Sequence, residues 1–229
     1  AAALVCLAAG YLFGRVVARL ARFYLALATF ALALAMPQML KSSHLSPWTG
    51  GVQGLYLDRP SAPLDLPVNQ DQWWYFVTLG VLALLLWMAR NLIASPTGRA
   101  IRALRDDPVA AQVVGIDVAH YTAAIFAAGA AYAGIAGALA ALLLDFIAPE
   151  SFTYWLSILL LVGSVFGGMT SVWGAVVGGL FLQFWPDIAG TISRDLVHPV
   201  FGALLVLSMR FMPAGVAGMV ATWRPGPRR

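Results

Sequence analysis

Residues 98–118 read GRAIRALRDDPVAAQVVGIDV. This is the one sizeable helix-forming polar stretch of the chain, and long apolar runs lie on either side of it. Its basic half carries Arg99, Arg102 and Arg105 at three-residue spacing and runs into a break at Asp106, Asp107 and Pro108. A second short helix is predicted after the break. Asp107 suits its N-cap, and Pro108 suits the first helical position, where the missing N–H would have been unpaired anyway. Gly115 is placed to close it.

Working outward, nearly all the remaining sequence parses into apolar spans: 1–14, 23–40, 73–89, 122–144, 152–167, 173–185 and 196–209. The run 73–89 holds 17 uncharged residues and 122–144 holds 23, and about 20 residues at the helical rise cross a hydrocarbon core. The fold class expected is an all-α polytopic membrane protein with about seven transmembrane helices. The first run is short and lacks an initiating Met, so the sequence is expected to be N-terminally truncated, beginning inside a longer protein. A signal peptide would need a basic leading region, which is absent. The runs around Gly167, Gly168 and Gly174 are short enough that 152–185 reads either as two spans or as a re-entrant hairpin.

Basic residues orient the spans, because cytoplasmic loops keep Lys and Arg. With the polar stretch in the cytoplasm, alternating crossings put Arg15, Arg19, Arg22, Arg90, Arg99, Arg102, Arg105, Arg210, Arg224, Arg228 and Arg229 inside, against Lys41, Arg59 and Arg194 outside. Acidic residues show the opposite bias: Asp58, Asp65, Asp71, Asp145, Glu150, Asp187 and Asp195 outside, Asp106, Asp107 and Asp117 inside. The organisation expected is a membrane domain over 1–222 with a cytoplasmic loop at 95–120, an outer loop at 41–72 and a cytoplasmic tail at 223–229.

Composition excludes several classes. With 61% hydrophobic and 10% charged residues and a mean hydropathy of +0.81, the chain cannot cover a water-soluble globule, where about a quarter of residues are charged. The formal charge of +4 is explained by membrane topology, so lipid and no nucleic acid is the partner it implies. A lone cysteine, Cys6, allows no internal disulfide and reads as a packing residue. Ionisable groups at mid-bilayer cost at least roughly 2.5 kcal/mol and are retained for work such as proton relay; here Asp145, Asp187 and Arg210 stand at span ends. Lys41 is the only lysine, so a glycine-rich phosphate loop ending in Gly-Lys-Ser/Thr is absent. His44, His120 and His198 stand apart with no metal-ligand spacing. No catalytic residue, metal site or cofactor is expected in this chain, and any ATP energy would come from another subunit.

The outer segment holds Pro47, Pro60, Pro63 and Pro67, a spacing that favours turns and extended chain. It reads either as a border of a substrate path and a docking site for an external delivery protein, or as a connector whose Trp48, Trp73 and Trp74 anchor in the interface. In the second half, Gly163/Gly167 and Gly174/Gly178 have the four-residue spacing that lets two membrane helices approach closely.

The run SPTGRAIRALRDDPVAAQVVGIDVAHYTAAIFAAGAAYAGIAGALAALLLDFIAPESFTYWLSILLLVGSVFGGMTSVWGAVVGG, from 95 to 179, and RFMPAGVAGMV, from 210 to 220, resemble the second permease subunit of branched-chain amino acid ABC importers, the LivM type. RFYLALATFALA and TGGVQGL upstream extend the resemblance over most of the chain. Ala110, Ala111 and Gly115 match the Ala-Ala-x-x-x-Gly portion of the cytoplasmic loop of ABC import permeases, while Val109 stands where that motif often has Glu. Gly167, Gly168, Ser171, Gly174, Gly178 and Gly179 match the family's glycine block, with Thr170 and Ala175 in place of its usual Gly and Pro.

The resemblance implies an ABC importer permease fold in the bacterial inner membrane and passage of Leu, Ile or Val, with urea or short amides as the alternative cargo. It implies four kinds of partner: a homologous LivH-type permease, two cytoplasmic ATPases that bind ATP and Mg, a periplasmic binding protein and the bilayer. Arg99, Arg102, Arg105, Asp106, Asp107, Pro108, Ala110, Ala111 and Gly115 are then the candidate ATPase-coupling loop; Gly163, Gly167, Gly168, Ser171, Gly174 and Gly178 are the candidate packing and gating set. The substrate-binding residues are not assigned. Rival readings are a stand-alone carrier or channel, a non-transporting scaffold, and a solvated loop whose arginines meet anionic headgroups.

Overall fold

In the computed structural model, residues 1–18, 22–57, 60, 69–192, 202, 210 and 215–222 are described. The chain divides into two compact units, Ala1–Phe152 and Thr153–Arg229.

The first unit is built on helix α7, Val118–Leu144, against which α1, Ala2–Val17, packs along its length. This pairing works because its residues are small. A Cβ on Gly10 would meet Ala127 and Ala130, one on Gly14 would meet the Ala123 backbone, and one on Gly134 would meet the Cys6 sulfur at 2.7 Å. Without a hydrophobic push between helices in lipid, such close backbone approach supplies the dispersion that holds them. Cys6 therefore has the packing place expected of it. Phe13 and Phe126 close the same seam edge to face, with centroids 6.0 Å apart.

Helix α2, Arg22–Leu40, continues through Pro37. A helical turn, α3 (Ser46–Thr49), and a 3-10 turn at Gly51–Gln53 follow. Strand β1, Leu55–Tyr56, then pairs antiparallel with β2, Phe146–Ile147. This small ladder was not expected of an all-α chain. It arises where α7 ends at Asp145, which adopts φ 55°, leaving the next backbone groups free to bond Leu55–Leu57; Leu57 N–H donates to Asp145 O at 2.8 Å. Lys41 Nζ donates to Glu150 Oε1 at 2.9 Å, tying the end of α2 to the 3-10 turn Pro149–Ser151.

Helix α4, Gln70–Ala94, runs 25 residues and so takes in Gln70–Gln72, which the sequence had assigned to the outer loop. Apolar counting starts at Trp73, but the backbone ladder is indifferent to side-chain polarity, and Trp73 N–H already donates to Asn69 O. For the same reason α4 passes Arg90 and ends four residues later. Trp48 is exposed as an interfacial anchor would be, whereas Trp74 is buried.

The second unit contains α8, Tyr154–Gly167; α9, Val172–Ile192; and α10, Gly215–Thr222. Among the described residues, three segments are long and apolar enough to cross a membrane, Gln70–Ala94, Val118–Leu144 and Pro149–Gly167; Ala2–Val17, Tyr24–Leu40 and Val172–Phe184 are shorter apolar helices. Apart from residue 202, the expected span 196–209 lies outside the described residues, as do the tail 223–229 and Arg19, Arg59, Arg194 and His198.

Candidate functional site

The loop 95–120 is two short helices hung between α4 and α7: α5, Pro96–Asp106, and α6, Pro108–Val113. Ser95 caps α5. Its hydroxyl accepts from Gly98 N–H at 3.2 Å and donates to Leu92 O at 2.6 Å. The chain turns so sharply here that a Cβ on Gly98 would strike the Leu92 and Ile93 carbonyls, so glycine is required. Leu104, 8% exposed, faces inward, and with Ile101 it lines a cavity against Val118 and Ile125 of α7. Arg99, Arg102 and Arg105 are exposed. Arg102 donates back to Ile93 O at 3.2 Å. Arg105 pairs with its neighbour Asp106 at 2.9 Å with both side chains largely exposed, a pair worth no more than about 1 kcal/mol.

Helix α6 is fixed at both ends. Asp107 Oδ1 accepts from Val109 N–H at 2.8 Å and Ala110 N–H at 3.1 Å, and Pro108 takes the first helical position. At the other end Gly115 turns left-handed with φ 84°. Its N–H donates to Gln112 O, and Ile116 N–H donates to Ala111 O, both at 3.0 Å. These are the paired bonds of a Schellman termination, and they satisfy carbonyls that a six-residue helix would otherwise leave open. The expected cap, first-turn proline and closing glycine are thus all present. Asp117, not singled out by the sequence, caps α7 by accepting from Ala119 N–H and His120 N–H at 2.9 and 3.1 Å. Two Asx caps ten residues apart were legible as Asp-x-x patterns ahead of helical runs. Ala111, 2% exposed, anchors α6 to the rest of the unit, while Val109, Val113 and Val114 are 71%, 83% and 74% exposed. The arrangement presents a rigid surface and offers no acid–base pair or nucleophile. Among the described residues no three of His, Cys, Asp and Glu come together.

The glycine block forms a separate site in the second unit. Helices α8 and α9 pack as an antiparallel hairpin in which Gly163 meets Gly178 and Leu182, and Gly167 meets Gly174 and Gly178; a Cβ at any of these four would collide with the facing helix. Ser171 lies in the connecting turn, its N–H donating to Gly168 O at 3.3 Å and its carbonyl accepting from Gly174 N–H at 3.0 Å. Gly168, with φ 108°, ends α8. Phe166 and Phe181 stack across the hairpin with centroids 4.0 Å apart. Gly179, matched in sequence, faces open space. Two glycine contacts were missed. Gly215, with φ 68°, abuts the Gly167–Gly168 backbone at the start of α10, and Gly10 and Gly14 line the α1 seam. The four-residue spacing of the latter was available in the sequence.

The model of the family described as branched-chain amino acid transport system / permease component matches residues 1–209. The high-affinity branched-chain amino acid transport permease protein LivM of Salmonella typhimurium is 29% identical over 95% of this chain and 56% of its own length, and LivM of Escherichia coli K12 is identical to the same extent. The LivH permease protein of Escherichia coli K12 is 32% identical over 63% of this chain and 46% of its own length. The chain spans about half the length of these curated relatives. No solved structure matches it. The apolar helices and these relatives agree on a multi-pass membrane protein, and the chain belongs to the family of branched-chain amino acid transport permease components.

Proposed function

We propose that the chain is part of a transmembrane permease subunit of an ATP-driven importer, and that it passes leucine, isoleucine and valine across the bacterial inner membrane. It would cross about seven times, with 41–72 outside and both 95–120 and 223–229 in the cytoplasm, as the distribution of arginine favours. Its partners would be a LivH-type second permease, two ATPases that bind and hydrolyse ATP, and a periplasmic binding protein that delivers cargo. The names of the relatives support this reading of cargo and class.

One observation carries the mechanism: α6 is capped at both ends and anchored by Ala111 yet turns an open face outward. A helix so constrained transmits a push without bending, and its C-terminal turn leads within a few residues to the capped start of α7. Closure of the ATPases on the loop Arg99–Gly115 would therefore move α7, and with it the α1 partner seam. The close glycine hairpin of Gly163, Gly167, Gly174 and Gly178 would serve as the second element able to slide, since its backbones meet directly at these four positions.

The test is purification of the protein from its own membranes, identification of what accompanies it, and uptake into vesicles. ATP-dependent uptake of labelled leucine, competed by isoleucine and valine, is expected together with recovery of an ATPase and a sister permease. Uptake competed by urea and not by valine would reassign the cargo. Solute movement without any ATPase would replace the importer with a stand-alone carrier.

A further inference from the structure

Helix α5 has two unlike sides. Leu104 is buried and Ile101 half-buried toward α7, whereas Arg99, Arg102 and Arg105 are exposed. From Arg90 to Arg105 the chain carries four arginines and no carboxylate. A helix with one apolar and one basic side, hung between the apolar spans α4 and α7, belongs at the boundary between hydrocarbon and water.

Behind the arginines lies apolar space. Val17, Leu25, Ile101, Leu104 and Val118 line a recess of about 770 Å³. Arg105 lines it too, with 60% of its side chain exposed, and so stands at its mouth. A second recess of about 310 Å³ shares Ile101 and Ile125 with the first and continues past Gly129 to Tyr132. A Cβ on Gly129 would meet nothing within 4 Å, so the space beside it is open. Along α7, Val118 to Tyr132 rises about 21 Å, which exceeds the roughly 15 Å of hydrocarbon in one leaflet. Tyr132 already donates its hydroxyl to Leu85 O at 3.1 Å. A ligand charged at both ends finds no partner at that depth, whereas a long apolar chain with a charged head matches both the lining and the rim.

The head decides which amphiphile is held. An acyl chain moved from the bilayer into the recess gains no hydrophobic energy, because both surroundings are hydrocarbon. At the rim, Asp106 takes the Nε and Nη2 groups of Arg105, and Nη1 has no partner among the described residues. Arg102, one turn earlier, is held over the end of α4 by its bond to Ile93 O at 3.2 Å. Guanidinium groups so spaced suit a phosphate, which accepts from two N–H groups at once. The Asp107 carboxylate does not compete, since it accepts from the first turn of α6.

We propose that α5 and α7 hold an anionic phospholipid, with its phosphate at Arg102 and Arg105 and one acyl chain lying through the two recesses toward Gly129. The site is built from the described helices of the first unit alone. It stands whichever side of the membrane α5 faces and whatever cargo the permease carries.

The experiment uses the full chain purified from its own membranes and placed in phosphatidylcholine vesicles. These carry a trace of phosphatidylglycerol with a photoreactive group on one acyl chain. Adducts within residues 122–132 are expected, at least about tenfold more abundant than those from photoreactive phosphatidylcholine at the same fraction. Arg105→Gln should lower the phosphatidylglycerol adducts about fivefold and leave the phosphatidylcholine ones unchanged, while Arg105→Lys should keep most of them. Gly129→Leu should displace the adducts from that part of α7 for both lipids, with thermal stability in detergent unaltered because the added side chain meets open space. Equal labelling by the two headgroups, or no effect of Arg105→Gln, overturns the proposal. Competition by excess glycerol phosphate makes the rim a site for soluble phosphate and overturns it too. So does a photo-crosslinking residue in place of Ile125 that joins a protein chain and not lipid, since the recess is then covered by another subunit. Absence of an ATPase or a different cargo would refute the importer reading and leave each of these results as stated.

Discussion

Removing the Asp107 carboxylate would strand the Val109 and Ala110 N–H groups, because a single oxygen accepts from both. Asp107→Ala should therefore cost about 1 kcal/mol of local helix stability, and Asp107→Asn or Ser much less. Faster amide exchange at Val109 and Ala110 in the alanine variant, with the start of α7 unchanged, is the expected record. The glycines of the second unit separate in the same residue-by-residue way. A methyl group on Gly178 meets the Gly163 carbonyl, whereas one on its neighbour Gly179 meets nothing within 4 Å. Gly178→Ala should destabilise the hairpin by about 1–3 kcal/mol, as overpacking does, and Gly179→Ala should stay within about 0.5 kcal/mol. Thermal unfolding of the two variants in the same detergent compares them directly.

At the scale of elements, the seam between α1 and α7 is the tightest contact of the first unit, and it depends on Gly10 and Gly14. Gly10→Leu or Gly14→Leu should abolish recovery of folded protein, while Gly137→Ala, which projects into open space on α7, should not. The Lys41–Glu150 pair joins two elements but is partly exposed, with 24% and 66% of the side chains open, so exposed-pair behaviour limits it to about 1 kcal/mol. Much of this architecture was legible in advance. Apolar runs located the helices because lipid exposure demands uncharged side chains over a fixed length, and Asp-Pro followed by glycine located α6 because capping chemistry is local. Helix ends were less legible: α4 starts at Gln70 and runs past Arg90, since polar residues at span ends are cheap and the backbone ladder ignores them. The β1–β2 pairing of Leu55–Tyr56 with Phe146–Ile147 was not legible at all, because two residues carry no periodicity and their partners lie far apart in sequence. The role of Gly98 was hidden for a related reason: its need for no side chain comes from the fold-back of α5 on α4, which is tertiary.

For the whole molecule, the proposed orientation rests on the arginine asymmetry of the sequence. In the proposed orientation the basic loop would lie on the cytoplasmic side, open to an ATPase, and Trp48 with the Lys41–Glu150 clasp would lie on the other, open to a delivery protein. Site-specific labelling tests this most directly. Cys6 is replaced by alanine, a change the α1–α7 seam tolerates in volume, and single cysteines are introduced as Gln112→Cys on α6 and Trp48→Cys in the outer segment, both exposed positions. With a membrane-impermeant maleimide, the position-48 variant should label in intact cells and the position-112 variant only after the membrane is opened. Labelling at position 112 from outside intact cells would contradict the orientation and, with it, the coupling of α6 to a cytoplasmic ATPase.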